Sequence, residues 1–182
     1  LHLSIRRQRQ MCIRDRRYVP QKGFDRLIPA WSIVNKRHPD WTLRIYGDGM
    51  RQRLQQQIDE LNVTSSCILE HTVEDIVEKY CESSIFVLSS RYEGFGMVII
   101  EAMACGVPCV GFNVGGIPEM IDHLHNGYVA QYKSSEDFAN GIHWILTEPE
   151  YNELSAQACR KVLGNYSESI VAKKYTDVYN KI

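Results

Sequence analysis

Two carboxylates set the first chemical constraint. Glu93 stands before Gly94-Phe95-Gly96, and Glu101 follows with seven residues between the two acids. Residues 84–90 read as a short apolar strand, and residues 97–104 as a buried helix closed by Gly106 and Pro108. A glycine-rich turn that opens a helix leaves backbone N–H groups unpaired at the positive end of the helix dipole, which suits a phosphate. Glu93 lies before the turn and Glu101 about one and a half helical turns beyond it, so both can flank one polyhydroxylated ligand. Carboxylates are good acceptors for sugar hydroxyls, so types and spacing point to a nucleotide sugar. The bland alternative is a solvated loop acid and a helix-face acid. It fits Glu101 poorly, because Val98-Ile99-Ile100 and Ala102-Met103-Ala104 surround it and make an unpaired carboxylate costly.

Such residues need a scaffold, and from Arg17 onward strand and helix patterns alternate. Phe24, Leu27, Ile28, Trp31 and Val34 recur at helical spacing, with Pro29 a candidate kink. Residues 41–46 read as a strand ending in the turn Gly47-Asp48-Gly49, and Leu54, Ile58 and Leu61 mark a helix. Cys67-Ile68-Leu69 reads as a strand, and Ile76, Val77 and Tyr80 are expected to face inward from the next helix. Strands follow at residues 85–88, 109–112 and 128–130, with a short helix opened by Gly115-Gly116-Ile117-Pro118. Ser134 or Ser135 caps a further helix, and two more close the chain. This order, with short connections and few hairpin signals, predicts an α/β fold with a doubly wound, Rossmann-like parallel sheet. Ligands on such sheets bind beyond the carboxyl ends of the strands, where Gly47, Glu93, Gly94, Gly115 and Gly116 are expected to gather.

Composition narrows the class. With 182 residues at 44% hydrophobic, the chain supports one good-sized core. A net charge of -1 gives no basic field for nucleic acid, and the tryptophans read as packing residues. No run approaches the ~18 apolar residues of a membrane span. The six cysteines form no Cys-x-x-Cys pair, which argues against a disulfide scaffold or a metal site and for reduced thiols in the cytosol. The first sixteen residues hold five arginines and no usable period, and lack the apolar core of a secretion signal. Met11-Cys12-Ile13-Arg14-Asp15-Arg16 resembles translated sequencing-adapter read-through. Residues 1–16 are therefore read as a non-native or disordered leader and residues 17–182 as the nucleotide-sugar (donor) binding domain. Its first strand is expected to be cut short before Arg17, with the gene continuing upstream.

Residues 89–108 resemble the signature of retaining glycosyltransferases of family 4, also called the glycosyltransferase group 1 domain: the carboxyl-terminal, donor-binding half of a GT-B fold. The resemblance extends from Arg17 to the end of the chain. Arg17 with Lys22-Gly23-Phe24 is similar to the family's Gly-Arg…Lys-Gly element, Gly47-Asp48-Gly49 to its turn after the second strand, and Gly115-Gly116 with Glu119 to its Gly-Gly-x-x-Glu loop. The resemblance implies that Arg17 and Lys22 neutralise the donor diphosphate. It further implies that the backbone of Gly94, Phe95 and Gly96 meets phosphate or sugar oxygens, that Glu93 holds the transferred sugar, and that Glu101 holds the ribose. Gly47, Gly115 and Gly116 join the donor site with less specificity. His71 stands where the family usually has glycine, in a loop near the base in relatives, so it could contact or crowd the nucleotide.

Also implied are metal-independent chemistry without a cofactor, retention of configuration, a nucleotide-sugar donor and a missing amino-terminal acceptor-binding half. A hexose-type sugar, carried by UDP on family frequency alone, would pass to a glycan or lipid-linked acceptor. The expected setting is cytoplasmic, peripheral at the inner membrane face in the full-length enzyme, with membrane contact only through the absent half. The chain alone is expected to bind donor without turnover. Two other classes compete. An NAD-dependent dehydrogenase needs Gly-x-Gly-x-x-Gly in the first unit, and neither Gly47-Asp48-Gly49 nor Gly94-Phe95-Gly96 supplies the third glycine. A non-catalytic nucleotide-binding scaffold is disfavoured by the complete set of Glu93, Glu101, Arg17 and Lys22.

Overall fold

The computed structural model describes residues 10–49 and 51–181, without the side chains of residues 14–17. Six parallel strands form the sheet: β1 (Gln10–Tyr18), β2 (Thr42–Gly49), β3 (Cys67–Glu70), β4 (Ile85–Leu88), β5 (Cys109–Phe112) and β6 (Gly127–Ala130). Their spatial order is β3-β2-β1-β4-β5-β6. Between them run α1 (Phe24–Arg37), α2 (Arg51–Glu60), α3 (Ile76–Glu82), α4 (Met97–Ala104) and α5 (Ile117–Met120), and after β6 come α6 (Ser135–Thr147), α7 (Tyr151–Tyr166) and α8 (Glu168–Tyr179). This is the doubly wound α/β sheet that the strand–helix alternation predicts.

Alternate strand residues divide two cores. Ile85 and Val87 of β4 join Leu27, Trp31, Ile58 and Ile142 beneath α1, α2 and α6. Phe86 and Leu88 turn to the opposite face and meet Tyr80, Ile99, Met103 and Ala158 of α3, α4 and α7. All four residues of β4 and of β5 are buried, as strands covered on both faces require.

The sheet departs from the sequence reading at its centre. β1 takes in residues 10–16, which that reading left outside the domain; residues 1–9 lie outside the described residues. Met11 pairs with Leu43 on one side and Ile85 on the other, and Met11, Cys12 and Ile13 are fully buried. Only three apolar residues stand ahead of a run of arginines, too few to show a strand period. A register shift between Arg14 and Arg17 bends the strand as it approaches the carboxyl edge. Two smaller differences follow from packing. Val77, expected to face inward, is 51% exposed, because Ile76 and Tyr80 alone fill the inner face of α3. Gly47 lies inside β2 and is buried, so the strand runs three residues past Tyr46 before it turns.

Candidate functional site

Between β1 and β4 the sheet changes its direction of winding, and the crevice beyond the carboxyl ends of such a pair is where α/β sheets take ligands. The β1–α1 connection is a 3-10 turn, Pro20–Lys22, ended by Gly23. Gly23 has φ 65°, and a Cβ there would stand 2.0 Å from the Ser89 carbonyl oxygen, so only glycine permits the approach. Three hydrogen bonds then join this turn to the β4–α4 loop. The Arg91 N–H donates to the Gln21 carbonyl at 2.7 Å, the Ser89 hydroxyl to the Lys22 carbonyl at 2.8 Å, and the Gln21 amide to the Tyr92 carbonyl at 3.3 Å.

That joining brings Lys22 to Glu93. Lys22 Nζ lies 3.5 Å from Glu93 Oε2, which also accepts from the Ser90 hydroxyl at 3.1 Å. The two side chains keep 21% and 19% exposure, a partly desolvated pair still open to a ligand. Next to it, Gly96 caps α4 at φ 72° with no side-chain cap, and the first turn of α4 carries no acid. The space where a Gly94 Cβ would point holds no atom within 4 Å. The helix therefore presents its positive end, uncovered by its own side chains, beside an ammonium group. Phe95 turns its half-exposed ring edge-on to Tyr166 of α7, with centroids 5.9 Å apart.

Gly115 and Gly116 support this loop from behind. A Cβ on Gly115, at φ 55°, would lie 1.7 Å from the Glu93 carbonyl oxygen, and the Gly116 N–H donates to that oxygen at 3.3 Å. Glu101, further along α4, is half-buried and accepts from the Tyr80 hydroxyl at 3.2 Å. Arg17 pairs through its backbone with Asp48, and its side chain lies outside the described residues.

His71 sits apart from that cluster. It follows β3, its side chain is 81% exposed, and its Nδ1 lies 2.9 Å from Asp48 Oδ1. Thr72 Oγ1 donates to the other carboxylate oxygen at 2.7 Å. These hydrogen bonds, Thr72 first and His71 second, hold the Asp48 carboxyl below its ordinary range. Gly47 is enclosed in β2 and offers no open backbone edge of the kind Gly94 does. The structure thus brings together Lys22, Glu93, Gly94, Gly96, Gly115 and Gly116, with Glu101 on the same helix, and leaves Gly47 and His71 on the β2–β3 side.

Three contributors escaped the sequence reading. Ser90 could have been noticed from its place three residues before Glu93. Tyr80 looked like one more core residue, and its hydroxyl gives no signal in the pattern. Tyr18 is buried, its hydroxyl donates to the Ile45 carbonyl at 3.0 Å and the Glu70 carbonyl at 2.6 Å, and burial pushes its pKa up. It ties the end of β1 to β2 and β3. Beside it a small cavity of about 80 Å³ opens between Val19, Phe24, Arg53 and Arg91, on the α1–α2 side and lined by neither Glu93 nor Glu101. Among the described residues, no cluster of three or more His, Cys, Asp or Glu is arranged to hold a metal ion. Nor is any helix among them long and apolar enough to cross a membrane.

The family model for glycosyl transferases group 1 matches residues 6–162. The chain is 31% identical over 166 residues to the amylovoran biosynthesis glycosyltransferase AmsD of Erwinia amylovora, covering 90% of this chain and 46% of that one. It is 30% identical over 142 residues to the N-acetyl-alpha-D-glucosaminyl L-malate synthase of Bacillus anthracis, covering 77% and 37%. Among solved structures it superposes on a variant of S. aureus TarM in complex with fondaparinux, alpha-GlcNAc-glycerol and UDP, with a TM-score of 0.84, 25% identity, and 95% and 36% coverage. The chain spans less than half the length of these relatives.

Proposed function

The chain belongs to the glycosyl transferases group 1 family, and from that premise we propose that it is the donor-binding half of a retaining glycosyltransferase of family 4. The observation that carries the reading is the Lys22–Glu93 pair beneath the open end of α4, at the point where the sheet reverses. A nucleoside diphosphate fits such a place by charge, and a sugar attached to it would lie against Glu93.

In this reading Lys22 exchanges its contact with Glu93 for the donor diphosphate, aided by Arg17 and by the amides of Gly94, Phe95 and Gly96. Glu93 then accepts hydrogen bonds from the hydroxyls of the transferred sugar, and Glu101 from those of the ribose. Gly115 and Gly116 act as the support that keeps the loop in register. Transfer breaks the bond from the anomeric carbon to the diphosphate oxygen, and the electron pair leaves on phosphate. Lys22, Arg17 and the positive end of α4 stabilise that charge, so the reading requires no metal or other cofactor. The acceptor hydroxyl attacks the anomeric carbon on that same face, which retains configuration, and its proton passes to the departing diphosphate oxygen.

The acceptor would be held by an amino-terminal half that this chain does not span, and the chain alone would bind donor without turnover. The TarM complex with UDP favours UDP as the carrier. The part of the Erwinia relative in amylovoran biosynthesis favours a glycan as the product, and the full enzyme would be cytoplasmic and peripheral at the inner membrane face.

The test is calorimetric titration of the chain with UDP, GDP, uridine and NAD. Saturable UDP binding is expected. Lys22→Ala should weaken UDP by about 1–3 kcal/mol, through lost charged contacts, and uridine hardly at all. A folded protein that binds no nucleotide, or prefers NAD, would reject the reading. Equal losses for UDP and uridine would remove Lys22 from the phosphate.

A further inference from the structure

Tyr80 lies on α3, a helix the donor reading does not otherwise use. Its ring is fully buried and meets Phe86 of β4 edge-on, with centroids 5.4 Å apart and planes at 88°. A tyrosine buried this deeply needs a partner for its hydroxyl, and the partner here is Glu101 Oε2 at 3.2 Å. α3 is itself fixed at its start: Asp75 accepts from the Val77 and Glu78 amides at 3.0 and 3.3 Å. The acid on α4 is thus braced from a neighbouring helix by a side chain that packing prevents from turning.

We propose that Tyr80 is a positioning residue that sets the Glu101 carboxylate for the ribose, and so makes the site select nucleoside diphosphates with free 2′- and 3′-hydroxyls. The inference rests on the reading of Glu101 as the ribose acceptor. A glutamate has three side-chain torsions, and on an open helix face its carboxylate samples many directions. Donation from a rigid hydroxyl to one oxygen fixes the carboxylate plane and hence the direction of the second oxygen. The ordering cost is then met on folding, and a ribose diol finds its acceptor already placed. Nothing in this arrangement acts on the phosphates, so the effect belongs to the sugar of the nucleotide alone.

The experiment titrates the 182-residue chain with UDP and with 2′,3′-dideoxy-UDP. Four proteins are compared: wild type, Tyr80→Phe, Glu101→Ala and the double variant. Thermal unfolding verifies that each is folded. Tyr80→Phe keeps the ring and its Phe86 contact and removes only the hydroxyl. It is expected to weaken UDP about fivefold while leaving the dideoxy ligand unchanged. In the Glu101→Ala background the same change should matter by no more than about twofold, because the two residues act as one unit. Equal weakening of both ligands, no weakening of UDP, or the same loss with and without Glu101 would overturn the inference. If Glu101→Ala abolishes the preference for UDP and Tyr80→Phe leaves it intact, the Tyr80 inference alone fails. If Glu101→Ala leaves that preference intact, the reading of Glu101 fails and the inference with it.

Discussion

Helices α3, α4 and α6 all begin at the carboxyl edge of one parallel sheet, yet they begin differently. Asp75 caps α3 by accepting from the Val77 and Glu78 amides, and Ser134 caps α6 by accepting from the Asp137 amide at 3.1 Å. Both carry acids in the first turn: Glu78 in one, Glu136 and Asp137 in the other. α4 has glycine at the cap, no side-chain acceptor and no acid in its first turn. A capped end satisfies its own amides and adds to stability, whereas an uncapped one keeps its positive end for an external anion. Helices α1 and α5 also begin at glycine without a side-chain cap, but each carries an acid in its first turn, Asp25 and Glu119; α4 lacks both cap and acid, as the proposed donor site next to Lys22 requires.

The largest effect should come from disturbing what holds the open end in place. Gly115→Ala would put a Cβ against the Glu93 carbonyl at a backbone conformation that disfavours side chains. Urea unfolding should show a loss of roughly 2–4 kcal/mol, together with weaker UDP binding. An unchanged midpoint would mean that the β5–α5 loop does not support the site. A second change makes α4 resemble its neighbours. Met97 is exposed in the first turn of α4, so Met97→Glu should fold normally. It should weaken UDP by about 1 kcal/mol through repulsion at the positive end, while stability holds or rises slightly. UDP affinity that does not fall would remove the phosphate from α4.

The converse change is smaller. Asp75→Ala removes the cap of α3 and should cost about 1 kcal/mol of stability, read by urea unfolding, with UDP affinity unchanged to within error. The smallest effect concerns Asp48. Its carboxyl is held below its ordinary range in the folded protein, so the charged form is the one that folding favours. That contribution is fully present above the ordinary carboxylate range and is lost as pH falls through the lowered folded value. Asp48→Asn should therefore lie slightly below wild type at neutral pH, with the two stability profiles converging in acid. Parallel profiles would show that the contacts from Thr72 and His71 do not favour the charged form.

How far the sequence revealed this molecule depends on what each region asks of its residues. Helix α4 and strands β4 and β5 fall where periodicity and the glycine and proline signals put them, because uninterrupted apolar runs between breakers leave little choice. The pairing of Glu93 with Lys22 is not legible in the sequence, which gives the two residues separate groups to hold and sets them 71 positions apart. Strand β1 was misjudged because its burial comes from lying between two neighbours, a tertiary fact, while three of its nine residues are arginines. Gly115 and Gly116 read from the sequence as part of the donor site, and only the approach to the Glu93 carbonyl reveals that they also make a close contact between two turns. The Tyr80 hydroxyl was invisible for a similar reason: an inward-facing tyrosine reads as apolar until its partner on another helix is located.

The most direct test of an α4 that is open to a ligand is an amide chemical-shift map of the chain titrated with UDP. The account predicts that the largest shifts fall on Gly94, Gly96, Met97 and Val98, while the capped amides of Val77, Glu78 and Asp137 stay where they are. Shifts concentrated on the starts of α3 or α6, or a saturated complex in which the α4 amides do not move, would contradict it.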